Sequence, residues 1–284
     1  MKDGFIVIGG DKRLCYAARE LEKSNKKVTV YGNGICDFEL TKTLEDAVSE
    51  NRYVLCGIPF SRDNGKTIYA PNYGKKIYTD ELLSAITPHH MMFAGMGGVF
   101  LTLCAKKGAK CFDYNICEDF LTINAHLTAE ALVAMIINNL PISISEGTFL
   151  ILGYGRIGKA LSDMLKSMGG KVTACARKES DFAIMRKKGI EGIHTDNINT
   201  VAGFDCLINT IPFKVTNEDF YKNLNSDCVI IDASASPGYI DTDAAKKYQL
   251  NVISAFGLPG KISPASAGKA IVTTVNDYIA KTNL

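Results

Sequence analysis

The chain has 284 residues, 46% of them hydrophobic and 22% charged, which is the composition of a globular protein rather than a disordered or fibrous one. Thirty-two lysines and arginines against 30 acids leave a net charge of +2 with no basic block, and this speaks against nucleic-acid binding driven by bulk charge. At about 100–200 residues per domain the length predicts two domains. No apolar run reaches the roughly 18 residues of a membrane span, and the N-terminus enters a strand at Phe5, so neither a span nor a signal peptide is expected. The nine cysteines are scattered and form no C-x-x-C pair. Reduced thiols in a cytoplasm are expected, rather than a disulfide framework or a zinc site.

In chain order, Phe5-Ile6-Val7-Ile8 predicts a buried strand, and Leu14, Ala17, Ala18 and Leu21 recur at helical spacing. Further strands are predicted at 28–31, 53–58, 91–94 and 110–112, with a helix over 99–107. This alternation implies βαβ units and a mainly parallel sheet over 1–122, a flavodoxin-like substrate domain. A long bridging helix is predicted at 124–139, ended by Pro141. The pattern then restarts with strands at 148–152, 171–175, 206–209, 229–232 and 252–254 and helices at 157–168 and 179–188. The second domain, 123–284, is therefore a Rossmann-like nucleotide-binding sheet, and its last helix, about 265–280, has the option of packing on the first domain. The fold class is α/β: two doubly wound parallel sheets joined by a long helix. Gly57-Ile58-Pro59-Phe60 and Thr210-Ile211-Pro212-Phe213 each follow an apolar strand, an echo that either duplication or chance explains.

Gly153-Tyr154-Gly155-Arg156-Ile157-Gly158 is a complete G-x-G-x-x-G between a strand and an apolar-periodic helix, the setting that the dinucleotide fingerprint requires. Gly153 permits the tight turn, Gly155 lets backbone approach a pyrophosphate and Gly158 lets helix and strand pack closely. The helix N-terminus offers free N–H groups to the phosphates. Nicotinamide sites that take NAD place an acid at the end of the next strand for the ribose 2′-hydroxyl. Here the strand ends in Ala176-Arg177-Lys178, so Arg177 and Lys178 are assigned to a 2′-phosphate and NADP is the expected cofactor. NAD remains open, with Glu179 as the ribose ligand. Asn209, Thr210, Ile211 and Pro212 are expected beside the cofactor ribose or nicotinamide. Leu258 and Pro259, in a glycine- and proline-rich stretch, are expected to shape the nicotinamide pocket.

In open α/β sheets ligands sit beyond the carboxyl ends of the strands, so these loops are expected to face a common cleft with those of the first domain. Arg13, beside a helix N-terminus, is a candidate carboxylate ligand, with pairing to Asp11 as its alternative. The bare N–H groups of Gly95-Met96-Gly97-Gly98 are a second carboxylate candidate or a simple turn. Ser234 and Ser236 either bond ligand or cap their turn. Glu130 on the bridging helix is a candidate acid or base, or a solvated carboxylate. His89 and His90 read as exposed turn residues, His126 lies near the start of the bridging helix and His194 ends a strand. No spacing of His, Asp or Glu predicts a metal site.

Taken together these residues resemble the A-subunit family of dipicolinate synthases. The resemblance rests on Ile8-Gly9-Gly10-Asp11 with Arg13, on Asn115, on Thr128-Ala129-Glu130, on the glycine turn, on Ile208-Asn209-Thr210-Ile211-Pro212, and on Gly257-Leu258-Pro259-Gly260 with Pro264, Ala267 and Gly268. The chain departs from it at Ser236, where a basic residue is frequent, and at Phe256, where proline is common. The resemblance implies dehydrogenation of a cyclic dihydro- or hydroxytetrahydropyridine dicarboxylate to dipicolinate, with NAD(P)⁺ accepting hydride. It implies, as partner, the flavoprotein-like B subunit of dipicolinate synthase. It also implies a role in sporulation, in the mother-cell cytoplasm; a homo-oligomer is compatible with it. The two-domain pattern is also similar to D-2-hydroxyacid dehydrogenases, whose late histidine is missing here, since no histidine follows His194. A non-catalytic NADP-sensing module is the third reading.

Overall fold

The computed structural model describes residues 2–38, 43–235 and 238–282. In it the strand–helix alternation produces two separate parallel sheets. The first contains β1 (Lys2–Ile8), β2 (Val28–Tyr31), β3 (Asn51–Cys56), β4 (Met91–Ala94) and β5 (Lys110–Asp113) in the order β2-β1-β3-β4-β5. Its helices are α1 (Lys12–Lys23), α2 (Leu44–Glu50), α3 (Thr79–Ala85) and α4 (Gly98–Lys106). Strand β1 shows why the run Phe5-Ile6-Val7-Ile8 is apolar throughout. Phe5 and Val7 join Leu14, Ala17 and Leu21 of α1 in one core, while Ile6 and Ile8 face Val48, Leu82 and Cys104 in another. A parallel strand covered on both faces needs apolar residues at every position rather than at alternate ones.

Helix α5 (Glu118–Asn139) follows, starting earlier than its apolar periodicity indicates because Glu118 and Asp119 form a polar first turn. Among the described residues it is the one helix long and apolar enough, by composition, to cross a membrane. Phe120 sits in the core of the first sheet, and Ala129, Leu132 and Ile136 sit in the core of the second.

The second sheet contains β6 (Thr148–Leu152), β7 (Lys171–Ala176), β8 (Glu191–His194), β9 (Cys206–Asn209), β10 (Val229–Asp232) and β11 (Asn251–Ser254) in the order β11-β10-β9-β6-β7-β8. Its helices are α6 (Arg156–Ser167), α7 (Glu179–Lys188), α8 (Glu218–Lys222) and α9 (Thr242–Lys247), and α10 (Leu258–Ile262) follows β11. Numbered from its own first strand, this is the dinucleotide-binding order 3-2-1-4-5-6 and the first sheet is the flavodoxin-like 2-1-3-4-5. Both have a point where strand order reverses, between β1 and β3 and between β6 and β9. The two Ile-Pro-Phe stretches leave β3 and β9, so the sequence echo falls at matching places in the two sheets.

The last helix, α11 (Pro264–Thr282), belongs to the first compact unit, which holds the chain up to Asn124 and again from Gly260; the second unit is Ala125–Pro259. Ala270, Ile271, Val272 and Val275 complete the core around α1. Gly268 lets the two helices touch, since a Cβ there would lie 2.6 Å from the Arg13 carbonyl oxygen.

Two expectations are corrected. His90 is buried, with its ring nitrogens bonded to Thr87 and to the Val48 carbonyl; the turn after Pro88 folds inward and only His89 is exposed. Cys15 and Cys36 form a disulfide with Cα atoms 5.3 Å apart, so the thiols are not all free. The parallel pairing of β1 with β2 brings the start of α1 beside the loop leaving β2, a closeness that a sequence separation of 21 conceals.

Candidate functional site

In the second unit the three glycines of the fingerprint have three distinct surroundings. Gly153 has φ of +101°, and a Cβ on it would lie 2.6 Å from Thr210 Oγ1. At Gly158 a Cβ would lie 2.0 Å from the Gly153 carbonyl oxygen, so α6 and β6 pack backbone to backbone. Gly155 has ordinary backbone angles and no atom within 4 Å of a Cβ position. Among the described residues nothing requires glycine there, and the bare surface is free for a ligand. Gly155 is also the N-cap of α6 and brings no side chain to its N–H groups. A pyrophosphate fits this place: open space beside a helix N-terminus, where N–H groups lack partners within the helix itself. The side chain of Tyr154 is buried in the core and its hydroxyl has no partner, while Arg156 is exposed and Ile157 packs partly against the core.

At the end of β7, Arg177 and Lys178 are both exposed. The Arg177 guanidinium lies 5.5 Å from the centroid of the Phe213 ring. Because β6 lies between β7 and β9, this contact joins the loops on either side of the glycine turn. Glu179 is engaged elsewhere: Arg186 Nη2 donates to it at 3.1 Å.

The loops leaving β9 and β10 are built on one buried carboxylate. Asp232 accepts from Asn209 Nδ2 (3.0 Å), Ser234 Oγ (2.6 Å) and the backbone N–H groups of Ser234, Tyr239 and Ile240. Burial raises its pKa, but these donors outweigh burial and hold it below the ordinary carboxylate value. Asn209 also bonds both N–H and C=O of Ile211, so its amide shapes the 210–212 loop instead of pointing at a ligand. Thr210 is tied through N and Oγ1 to the Leu152 carbonyl; Ile211 is buried and Pro212 exposed. Ser234 donates its hydroxyl proton to Asp232, which makes it a turn-capping residue. Ser236 lies outside the described residues. Glu130 and His126 are exposed on α5.

The 257–260 stretch differs from expectation. Leu258 is buried in the core of the second unit, Pro259 is buried, and Gly260 abuts the first unit's charged pair: a Cβ on it would lie 2.8 Å from Asp11 Oδ2 and 2.9 Å from Arg13 Nε. Helix α10 packs Gly260 against that pair, a contact that sequence spacing does not reveal.

In the first unit Arg13 is buried and bidentate on Asp11, with Nε to Oδ1 at 2.9 Å and Nη2 to Oδ2 at 2.8 Å; Nη2 also donates to the Ile58 carbonyl. Burial lowers its pKa, and the bonds and charge of Asp11 reverse this and leave it raised. Asn33 Nδ2 donates to the Gly9 carbonyl at 2.9 Å and holds the β1–α1 turn. The glycine turn at 95–98 is not an empty anion site. The Met96 and Gly97 N–H groups both donate to Asp113, each at 3.0 Å, so the chain fills the turn with its own carboxylate.

Asp232, Asp113 and Asn33 were missed by sequence reasoning. Each ends or follows a strand, the one signal available, but each has a partner distant in sequence: Asn209 for Asp232, Met96 and Gly97 for Asp113, and Gly9 for Asn33.

Comparison with known proteins follows the two units. Residues 4–115 match the N-terminal domain of the dipicolinate synthase A subunit, and residues 122–235 match the D-isomer specific 2-hydroxyacid dehydrogenase NAD-binding domain. The dipicolinate synthase A subunit of Bacillus subtilis (strain 168) is 24% identical over 97% of this chain and 95% of its own. The crystal structure of the dipicolinate synthase A subunit from Bacillus halodurans superposes with a TM-score of 0.85 at 22% identity, covering 98% of both chains. D-lactate dehydrogenase of Escherichia coli shares the fold more distantly, with a TM-score of 0.64 at 15% identity over 99% of this chain and 97% of its own. Along nearly its whole length the chain is thus similar to the dipicolinate synthase A subunit, its first part matching that family's N-terminal domain and its second the NAD-binding domain of D-2-hydroxyacid dehydrogenases.

Proposed function

We propose that the chain works as the A subunit of a dipicolinate synthase, in the mother-cell cytoplasm of a sporulating bacterium. It dehydrogenates a cyclic dihydropyridine dicarboxylate, or its hydroxytetrahydro form, to dipicolinate. The observation that carries this reading is the similarity to the A subunit over 97% of the chain, rather than over the nucleotide domain alone. When bound, the nicotinamide supplies the hydride acceptor. A ring carbon loses hydride and the ring loses a proton, and the hydroxylated form also loses water. Aromatisation is strongly downhill, so the protein's task is chiefly to hold the ring in place.

Gly155 and the N-terminus of α6 receive the pyrophosphate. NADP⁺ is the preferred nucleotide: no acid stands at the end of β7, Glu179 is paired with Arg186, and Arg177 is present to meet a 2′-phosphate. In the first unit the largely buried Asp11–Arg13 pair braces the β1–α1 turn, its charges neutralising each other.

The purified chain, alone and with a flavoprotein-like B subunit, tests this with the cyclic substrate and both nucleotides. We expect reduced nucleotide and dipicolinate to form together, faster with the B subunit present and with NADP⁺. Turnover of a simple D-2-hydroxy acid instead would move the chain to the dehydrogenases it resembles. Nucleotide binding without turnover, even with the B subunit, would make it a sensing module.

A further inference from the structure

Between β3 and α3 the chain makes an excursion over 61–78 that carries Arg62, Lys66, Lys75 and Lys76 against the single acid Asp63. Its positive surplus exceeds the net charge of the chain, +2, so the remainder is slightly acidic. The excursion borders an open surface depression of about 250 Å³ lined by Arg62, Asp63, Tyr69, Lys75 and Lys76. Its one acid, Asp63, offsets only one of the four positive charges. Asp63 is tied within its own loop, by Thr67 Oγ1 at 2.6 Å, Thr67 N at 2.9 Å and Ser61 Oγ at 2.8 Å. Arg62, Lys75 and Lys76 form no ion pair among the described residues.

The depression is also placed and partly ordered. Arg62 lies 4.5 Å from the centroid of the Tyr69 ring, which holds the guanidinium over an aromatic face. Tyr69 is fixed by its backbone: its N–H donates to the Phe60 carbonyl at 2.8 Å, and its carbonyl accepts from Gly10 N at 2.7 Å. The excursion therefore rests on the β1–α1 turn, at the point where strand order reverses in the first sheet and α/β proteins bind ligands. A Cβ on Gly9 would lie 3.0 Å from the Tyr69 carbonyl oxygen, so this contact needs the glycine.

We propose that the depression lined by Arg62, Tyr69, Lys75 and Lys76 is a binding site for a small planar dicarboxylate, with Arg62 and the two lysines taking its carboxylates and the Tyr69 ring edge bordering its ring. The choice of a dicarboxylate rests on the proposed function; the cation cluster itself does not. A guanidinium with a bidentate fork, stacked on an aromatic ring, and two neighbouring ammonium groups are suited to two carboxylates at once. The volume is below the roughly 300–1,000 Å³ of drug-sized pockets, which suits a single ring.

The test uses the full chain and pyridine-2,6-dicarboxylate as probe, with binding read by calorimetry and amide chemical shifts. Arg62→Ala and the double variant Lys75→Ala/Lys76→Ala alter exposed side chains and should leave the melting curve unchanged. Each should weaken probe binding at least about tenfold. Pyridine-2-carboxylate should bind the wild type more weakly and respond less to the variants. Unchanged probe binding in both variants, or shifts confined to residues outside 61–78, would overturn the proposal. So would inorganic phosphate competing as well as the dicarboxylate does, because the site would then take any anion. Turnover separates the two readings. Normal oxidation of the cyclic substrate with unchanged KM in the variants removes this site and leaves the proposed function. Probe binding that the variants abolish, in a chain that never turns over that substrate, removes the function and leaves the site.

Discussion

Two glycines of one motif make opposite predictions. Gly155→Ala places a methyl group where no atom lies within 4 Å, on a backbone with φ of −79° that any residue adopts. Thermal stability should stay within about 0.5 kcal/mol of wild type. Nucleotide Kd, measured by fluorescence titration, should rise about tenfold or more as the methyl group meets the pyrophosphate. Gly158→Ala instead forces a Cβ against the Gly153 carbonyl at 2.0 Å, and overpacking of this kind costs about 1–3 kcal/mol. Its melting temperature should fall, with nucleotide binding lost as a consequence. A third residue tests the cofactor. Arg177→Ala should weaken NADP⁺ by about 5- to 150-fold, the equivalent of about 1–3 kcal/mol, and scarcely change NAD⁺. Salt should weaken NADP⁺ selectively in the wild type. Equal Kd values for both nucleotides in both proteins would show that this turn does not read the phosphate. The turn at Gly153 and the close packing at Gly158 were legible in the sequence because both act within six residues. The partner of Arg13 was legible as one of two options. The fate of the 95–98 turn was not, because its occupant, Asp113, comes from the end of another strand.

Loops leaving adjacent strands share anchors, and Asp232 is the anchor for the β9 and β10 loops. Its depressed pKa has a definite sign. The native state favours the ionised form, so its contribution is full above the unfolded value of about 3.9 and is lost as pH falls through the lower native value. Acid titration of wild type should show stability falling below about pH 4. Asp232→Asn should be less stable by about 1–3 kcal/mol at neutral pH, because an amide donor replaces an oxygen that accepts hydrogen bonds. It should also show a smaller loss of stability at acid pH; urea unfolding at a series of pH values checks both effects. The strands themselves were legible as short apolar runs such as 5–8 and 148–152. Helices α2 and α3 were not. Each has seven residues, two turns, too few for a 3.6-residue period to stand out. The disulfide between Cys15 and Cys36 was hidden for a related reason: strand pairing, not sequence distance, brings its ends together.

At the scale of the molecule, the return of α11 to the first unit makes that unit discontinuous along the chain. A chain ending at 263 should keep nucleotide binding in the second unit and lose amide protection around α1, where Ala270, Ile271 and Val275 would leave the core open. Hydrogen exchange resolved by segment measures this; full protection of β1 and α1 in the truncated chain would refute it. The same connectivity sets an order of events during synthesis. Residues up to Asn124 leave the ribosome early, but the partner helix of α1 leaves last. At roughly 5–20 residues per second the first unit waits on the order of ten to thirty seconds, while the second, contiguous in sequence, completes first. The half that begins the chain is therefore the half that finishes it, and an apolar stripe on α1 is exposed to chaperones for that interval.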